Sequence, residues 1–170
     1  MKRIALSLLT TTLLAFGSSA QDLAINSTDY RTAVGLRAGE TSGLTVKRFI
    51  GSNDALEGIF GAWYHGFSAT VLYERHTQAF NVSGMNWYYG GGAHAAIQSS
   101  RRIYRHYGNR YEYYRDGSFG LGVDGVLGLE YKIPSTPIAM SLDVKPYIEF
   151  INTGGIWTSL DPGLGIKVAF

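Results

Sequence analysis

The fifteen residues SFGLGVDGVLGLEYK, Ser118–Lys132, decide the fold class of this chain. Apolar and polar or small residues alternate along them almost without a break. One set of positions holds Phe119, Leu121, Val123, Leu127, Leu129 and Tyr131, and the other holds Gly120, Gly122, Asp124, Glu130 and Lys132. A period of two predicts a β-strand with one apolar and one polar face.

The same alternation continues to the last residue and, less regularly, extends back to Arg31. PIAMSLDVKPYIEF and PGLGIKVAF repeat it, and compact turn sequences such as GSNDA separate the runs. Pro146 interrupts one run, which predicts a bulge or a shortened strand there. Eight strands are predicted, all in an antiparallel all-β fold: Arg31–Gly39, Gly43–Ile50, Ala55–Tyr64, Phe67–His76, Met85–Ile97, Ser118–Lys132, Ile138–Phe150 and Asp161–Phe170.

The first twenty residues predict a cleaved secretory signal. Lys2 and Arg3 precede the apolar stretch Ile4–Phe16, and small residues follow at Ser18 and Ala20. Residues 21–170 would then form a single domain, with as many basic as acidic side chains. An exported, formally neutral chain argues against nucleic acid as a partner, and the absence of cysteine excludes disulfides.

Two architectures fit an exported, alternating chain: a soluble β-protein or a membrane β-barrel. Strands of nine or more residues suit a tilted crossing of the bilayer. Aromatic residues gather at the ends of the apolar faces, as they do in interfacial girdles. One rim would hold Tyr73, Trp87, Tyr131 and Phe170, and the other Tyr64, Phe67, Phe119 and Phe150. These features favour the membrane barrel.

The polar face carries charges of both signs, whereas the apolar face carries only Arg48 and Arg75, near strand ends from which they can snorkel. Eight strands enclose a lumen just wide enough for side chains. Balanced charges therefore predict a filled, stiff lumen, where a ring of one sign would have indicated a pore. The predicted lumen charge network consists of Arg37, Lys47, Glu57, Glu74, Asp124, Glu130, Lys132, Asp143, Lys145, Glu149 and Lys167.

The chain as a whole resembles the small eight-stranded outer-membrane β-barrels, the OmpX-like class that includes the membrane domain of OmpA. NWYYGGGAH and GLEYKIPSTPIAMSLDVKPYIEF also resemble an uncharacterised outer-membrane β-barrel family. The resemblance implies a monomeric barrel in the outer membrane of a Gram-negative cell. It further implies that Phe170, closing the terminal strand GLGIKVAF, is the signal that the outer-membrane assembly machinery recognises.

With both chain ends on the periplasmic side, the long link Gln98–Gly117 would lie outside the cell. It contains RRIYRHYGNRYEYYR, in which YGNR resembles a hairpin tip. A three-residue tip or a bulge would be needed to keep the strand faces consistent. Guanidinium groups form charge-assisted bonds with phosphate, so lipopolysaccharide or another external anion is the predicted partner. The candidate anion-binding residues are Arg101, Arg102, Arg105, Arg110 and Arg115; the alternative is a merely solvated loop.

No catalytic, metal or cofactor site is predicted. GLGVDG matches the dinucleotide pattern GxGxxG, but it lies within a strand, where its glycines are small residues of a tight barrel. The four histidines lack metal-ligand spacing, and His94 is assigned to the lumen network. The expected role is structural or surface-interacting and not enzymatic. Two alternatives stay open: a lipid-modifying outer-membrane enzyme and a narrow solute passage.

Overall fold

The computed structural model describes residues 30–63, 66–98, 104–107, 110–113, 118–152 and 155–170. Eight antiparallel strands form a closed barrel, and β6 and β7 form a separate two-stranded ribbon. The strands are β1 Thr32–Gly39, β2 Ser42–Phe49, β3 Asp54–Trp63, β4 Gly66–Gln78, β5 Met85–Gln98, β6 Tyr104–Tyr107, β7 Arg110–Tyr113, β8 Phe119–Lys132, β9 Ile138–Ile151 and β10 Ile156–Ala169. No helix long and apolar enough to cross a membrane occurs among these residues. The predicted signal, residues 1–20, lies outside them.

The barrel closes where the first strand meets the last. Val34 of β1 pairs with Val46 of β2 on one side and with Val168 of β10 on the other. Each of the eight strands thus has two hydrogen-bonded neighbours, and the sheet has no free edge. The predicted eight-stranded antiparallel barrel is confirmed. We call the end at which β1 begins and β10 ends the terminal end, and the opposite end, where β5 ends and β8 begins, the hairpin end.

The apolar face of the strands points outward and the charged face points inward, as the charge pattern predicts. On the outside, apolar side chains such as Val71 and Leu164 are 60% and 62% exposed. On the inside, Lys47 and Glu130 are fully buried. Successive residues of a strand point to opposite faces, so the alternation in the sequence becomes an apolar outer surface around a charged interior.

The last strand begins at Ile156, five residues before the predicted start at Asp161. Trp157 pairs with Glu149 of β9, so residues 156–159, half of the link predicted at Asn152–Ser159, belong to a strand. Outward-facing Thr158 gives no apolar signal at this position, which hides the alternation from the sequence. The prediction of a long link here was wrong.

Pro146 neither bulges nor shortens β9. Asp124 pairs with Tyr147 and Leu127 with Val144, which is the same register on both sides of the proline. The ladder lacks pairs only at Gly125 and the next residue of β8, because proline has no N–H to donate to the Gly125 carbonyl. A Cβ atom at Gly125 would lie 3.2 Å from the Pro146 ring, so the glycine leaves room for it.

The ribbon has a two-residue tip, since Tyr107 pairs with Arg110. The prediction was a three-residue tip or a bulge, and this pairing excludes the three-residue tip. In the barrel Ile97 pairs with Phe119, a register that differs by one residue from that of the ribbon. The predicted bulge would lie among the residues between the two sheets, most of which are outside the described part of the chain.

Candidate functional site: the charged barrel interior

Charged side chains of both signs fill the barrel. Ten of the eleven residues predicted for the lumen network take part in ion pairs there. Lys132 is the exception: it lies at the end of β8, where its ammonium donates to the carbonyl oxygens of Ile133 at 3.3 Å and Thr136 at 2.6 Å. It stabilises the link between β8 and β9 instead of a carboxylate.

The first group of charges, the terminal-end cluster, surrounds Lys47. The Lys47 Nζ atom lies 3.1 Å from Glu57 Oε2, 2.8 Å from Glu74 Oε2 and 3.1 Å from Glu130 Oε2. Lys167 contributes a second ammonium, 2.9 Å from Glu57 Oε1 and 3.6 Å from Glu130 Oε2. Four strands, β2, β3, β4 and β8, converge on the one Lys47 nitrogen, so this contact fixes their relative positions.

Aromatic rings close the barrel beside this cluster. Tyr30, which precedes β1, packs edge-on against Phe49 with ring centroids 5.3 Å apart, and its hydroxyl donates to Glu130. Burial and the Glu130 carboxylate raise the pKa of the Tyr30 hydroxyl, so it remains a donor. The ring of Phe49 contacts that of His76 with centroids 4.8 Å apart, and the His76 ring stacks on that of Tyr88 with centroids 5.2 Å apart. The terminal end is therefore plugged by side chains.

The second group, the hairpin-end cluster, contains Arg37, Asp143, Asp161, Lys145, Asp124, His94 and Glu149. The Arg37 guanidinium reaches Asp143 Oδ1 at 2.7 Å and Asp161 Oδ2 at 3.0 Å through different nitrogens. Lys145 Nζ lies 2.9 Å from Asp124 Oδ1 and 3.6 Å from Asp161 Oδ2. In this cluster no cation contacts more than two carboxylates. In the terminal-end cluster, by contrast, three carboxylates contact the single Lys47 ammonium.

His94 completes the hairpin-end cluster with two carboxylate contacts. Its Nδ1 lies 2.8 Å from Asp124 Oδ2, and its Nε2 lies 3.2 Å from Glu149 Oε2. Only the doubly protonated imidazole can donate from both nitrogens. In that form the ring supplies a third cation beside Arg37 and Lys145.

Tyr88 joins the two clusters. Its hydroxyl donates to Asp143 Oδ2 at 3.0 Å, and the Lys47 ammonium lies 4.2 Å from the centre of its ring. The phenol therefore forms a hydrogen bond with one cluster and a cation–π contact with the other. A continuous polar network runs through the barrel.

Inward-facing glycines make room for the largest interior side chains. His94 pairs across the ladder with Gly122, and Tyr88 pairs with Gly128. A Cβ atom would lie 2.2 Å from the His94 ring at Gly122 and 2.3 Å from the Tyr88 ring at Gly128. Large residues alternate with small ones across neighbouring strands, which is how a narrow barrel is filled.

Four members of the network were not predicted from the sequence: Asp161, His76, Tyr88 and Tyr30. Asp161, His76 and Tyr88 share the inward parity of Lys167, Glu74 and His94, respectively, so strand alternation alone could have identified them. Tyr30 precedes the first strand, and no signal in the sequence places it inside the barrel. His76 contacts Glu74 through Nε2 at 3.1 Å.

The residues predicted for anion binding are only partly described. Arg105 and Arg110 lie in β6 and β7, whereas Arg101, Arg102 and Arg115 fall outside the described residues. Phe170 lies at the terminal end, where its N–H donates to the Thr32 carbonyl at 2.8 Å and closes the seam between the first and last strands.

Among the described residues, no group of three or more His, Asp or Glu side chains could hold a metal ion. No protein-family model, no curated protein and no solved structure matches the chain. Inside the barrel, ion pairs join residues of different strands, beside a buried apolar cluster of Ile59, Leu72, Tyr88 and Val126.

Proposed function

We propose that this protein is an integral outer-membrane β-barrel with a structural or surface-interaction role. One observation carries the proposal: apolar side chains cover the outside of a closed barrel, and charges fill its inside. A soluble β-protein has the opposite arrangement, because water solvates charges and favours the burial of apolar side chains. Lipid acyl chains are the surroundings that such an outer face fits.

The apolar surface is continuous around the barrel. Monomeric soluble proteins rarely expose an apolar patch larger than a few hundred Å². Here every barrel strand contributes at least one large apolar side chain that is more than half exposed, and we call these together the apolar belt. From β1 to β10 the belt includes Leu36, Leu44, Phe60, Val71, Ile97, Leu121, Leu142 and Leu164.

The height of the apolar belt suits a bilayer. Phe119 and Tyr131 lie on the outer face near opposite ends of β8, twelve residues apart. At about 3.3 Å per residue and a tilt of about 45°, that separation spans roughly 28 Å along the barrel axis. The apolar band of outer-membrane barrels is about 25 Å tall, so aromatic residues would lie near both interfaces.

In this proposal the hairpin end faces outward and residues 98–117 contact lipopolysaccharide. The register of the ribbon supports that role. Arg105 pairs with Glu112 and Tyr107 pairs with Arg110, so these four positions share one face of the ribbon. Two arginines on one face can meet neighbouring phosphates with charge-assisted, often bidentate bonds.

The lipopolysaccharide contact is tested with the Arg105→Gln/Arg110→Gln double variant in purified, detergent-solubilised protein. Binding to purified lipopolysaccharide should weaken, and the difference should shrink as salt rises because exposed charges are screened. The matched control is Arg48→Gln/Arg75→Gln, which removes two exposed arginines near the terminal end. Equal losses in both double variants would contradict a specific role of the ribbon.

The two alternatives have their own readouts. A filled interior predicts that the refolded wild type gives no steady conductance in planar bilayers; reproducible conductance steps would favour a solute passage. A changed lipid A profile in cells that carry the Arg105→Gln/Arg110→Gln variant would favour a lipid-modifying enzyme. Neither alternative has an observation of its own among the described residues.

A further inference from the structure

The link between β4 and β5 has an unusual backbone. It lies at the terminal end, and Phe80 and Asn81 adopt left-handed φ angles of 52° and 55°. The Val82 N–H donates to the Ala79 carbonyl at 3.0 Å and closes the turn. Positive φ at both central positions defines a type I′ turn, for which Asn-Gly is the preferred sequence.

Phenylalanine is a costly residue for this turn. In the left-handed region its Cβ approaches the following carbonyl oxygen, which glycine avoids and asparagine tolerates better. Phe80 nevertheless occupies the first central position, and its ring lies 5.4 Å from that of Trp87 at an angle of 55°. The Phe80 side chain is 67% exposed. Burial within the protein therefore does not account for the strained position.

The exposed ring lies beside outward-facing aromatic side chains of the barrel. Trp87 and Tyr89 point outward from β5, and Tyr73 points outward from the neighbouring β4. Tryptophan and tyrosine concentrate at membrane–water interfaces, where an apolar body meets lipid and a polar tip meets water. Val82 is also exposed in the same link.

The neighbouring link at the terminal end differs. Residues 133–137 join β8 to β9 and expose Pro134, Ser135 and Pro137, none of which carries an aromatic ring. Ser135 also has a positive φ, of 61°. A left-handed residue in a link at this end therefore does not by itself require an exposed phenylalanine.

We propose that the β4–β5 link is a lipid-docking element: Phe80 and Val82 insert into the headgroup region of the leaflet at the terminal end. The turn retains its strained phenylalanine because that backbone directs the ring toward lipid beside Trp87. The proposal rests on the proposed insertion of the barrel into a membrane. It adds a second lipid contact, at the end opposite the ribbon.

The test measures the depth of the link in phosphatidylcholine vesicles. The chain contains no cysteine, so single cysteines can carry a nitroxide label without background. Labels are placed at Ser83 in the link, at Ser135 in the other link as an aqueous reference, and at Leu142 in the apolar belt. Collision with oxygen and with a water-soluble nickel chelate then reports whether each label is in lipid or in water.

The Ser83 label should be less accessible to the nickel chelate than the Ser135 label and less deep than the Leu142 label. Adding Phe80→Gly, which relieves the left-handed strain and removes the ring, should raise the nickel accessibility at Ser83 to the Ser135 value. Asn81→Gly is the matched control, because it relieves the same kind of strain one residue later and keeps the ring. It should leave the Ser83 label unchanged.

The outcomes separate the two proposals. A Leu142 label in water would overturn membrane insertion and, with it, lipid docking. A Leu142 label in lipid together with equal values at Ser83 and Ser135 would overturn docking alone. Docking would also be overturned if Asn81→Gly moved the Ser83 label as far as Phe80→Gly does, since the turn and not the ring would then set its depth.

Discussion

The two charged clusters inside the barrel differ in how their buried carboxylates are paired with cations. In the terminal-end cluster, Lys47 holds three carboxylates at 2.8–3.1 Å, and neither it nor Glu130 is exposed at all. In the hairpin-end cluster, three cationic side chains share the carboxylates, and His94 and Glu149 remain 7% and 8% exposed. A cluster whose three carboxylates all contact the same fully buried cation should tolerate the loss of that cation far less than a cluster in which no cation contacts more than two.

The largest expected effect comes from replacing Lys47. Lys47→Met keeps most of the side-chain volume but leaves three buried carboxylates with Lys167 as the remaining ammonium. Removing one partner of a buried ion pair costs about 3–5 kcal/mol, because the remaining charge is uncompensated. Urea unfolding of vesicle-refolded protein, followed by the mobility shift of the folded barrel on gels, measures the loss.

Lys145→Met is the matched variant in the hairpin-end cluster. Arg37 still contacts Asp161 and His94 still contacts Asp124, so each carboxylate that Lys145 loses keeps a partner. We expect a cost of about 1–3 kcal/mol, in the range of a lost hydrogen bond to a charged group. Equal costs for Lys47→Met and Lys145→Met would remove the distinction between the two clusters.

The next effect concerns the space that the clusters need. Gly128→Ala and Gly122→Ala would each put a methyl group within 2.3 Å of a ring, that of Tyr88 or of His94. Overpacking of this kind typically costs about 1–3 kcal/mol, and the Tyr88 site should suffer more because Tyr88 contacts both clusters. The same unfolding measurement ranks the variants.

Gly58→Ala is the control for the glycine variants. A Cβ atom at Gly58 has its nearest neighbour 4.0 Å away, so the methyl group has room. We expect a change within about 0.5 kcal/mol, as for other surface substitutions. A loss at Gly58 as large as the loss at Gly128 would show that glycine is needed for its backbone, and not to make room for a ring.

The smallest expected effect concerns the outer wall beside Lys145. Pro146→Ala supplies an N–H opposite the Gly125 carbonyl, which restores one ladder bond in an otherwise unbroken register. The gain of about 1 kcal/mol from that bond is offset by the greater freedom of the unfolded chain. Hydrogen exchange is the sharper readout, because the new amide of residue 146 should exchange as slowly as its neighbours. Fast exchange at residue 146 would mean that the missing N–H is not the reason for the missing ladder bond.

The strand pattern could be predicted from the sequence because alternation is a local property. Leu164, Ile166 and Val168 differ from Gly165 and Lys167 in the sequence itself, and that difference places them on opposite faces whatever lies around them. The sequence also showed that charges of both signs lie on one face of the strands. Because an eight-stranded barrel is narrow, these charges predicted a filled lumen.

The individual contacts could not be predicted, because they depend on the register between strands that are distant in sequence. Arg37 and Asp161 lie 124 residues apart and meet only because β1 pairs with β10. Local signals failed in two further places. Outward Thr158 concealed the start of β10, and Tyr30 enters the barrel from a position outside every alternating run.

Photolabelling of the wild-type protein measures whether the apolar belt faces lipid while the charged side chains face the interior. The barrel is refolded in vesicles that contain a phospholipid with a diazirine on its acyl chain, and the labelled residues are mapped by mass spectrometry. We expect lipid adducts at outward positions such as Leu142, Leu164 and Ile166, and none at inward Lys145 or Lys167. Adducts at the inward positions, or protein that does not float with the vesicles, would contradict this arrangement.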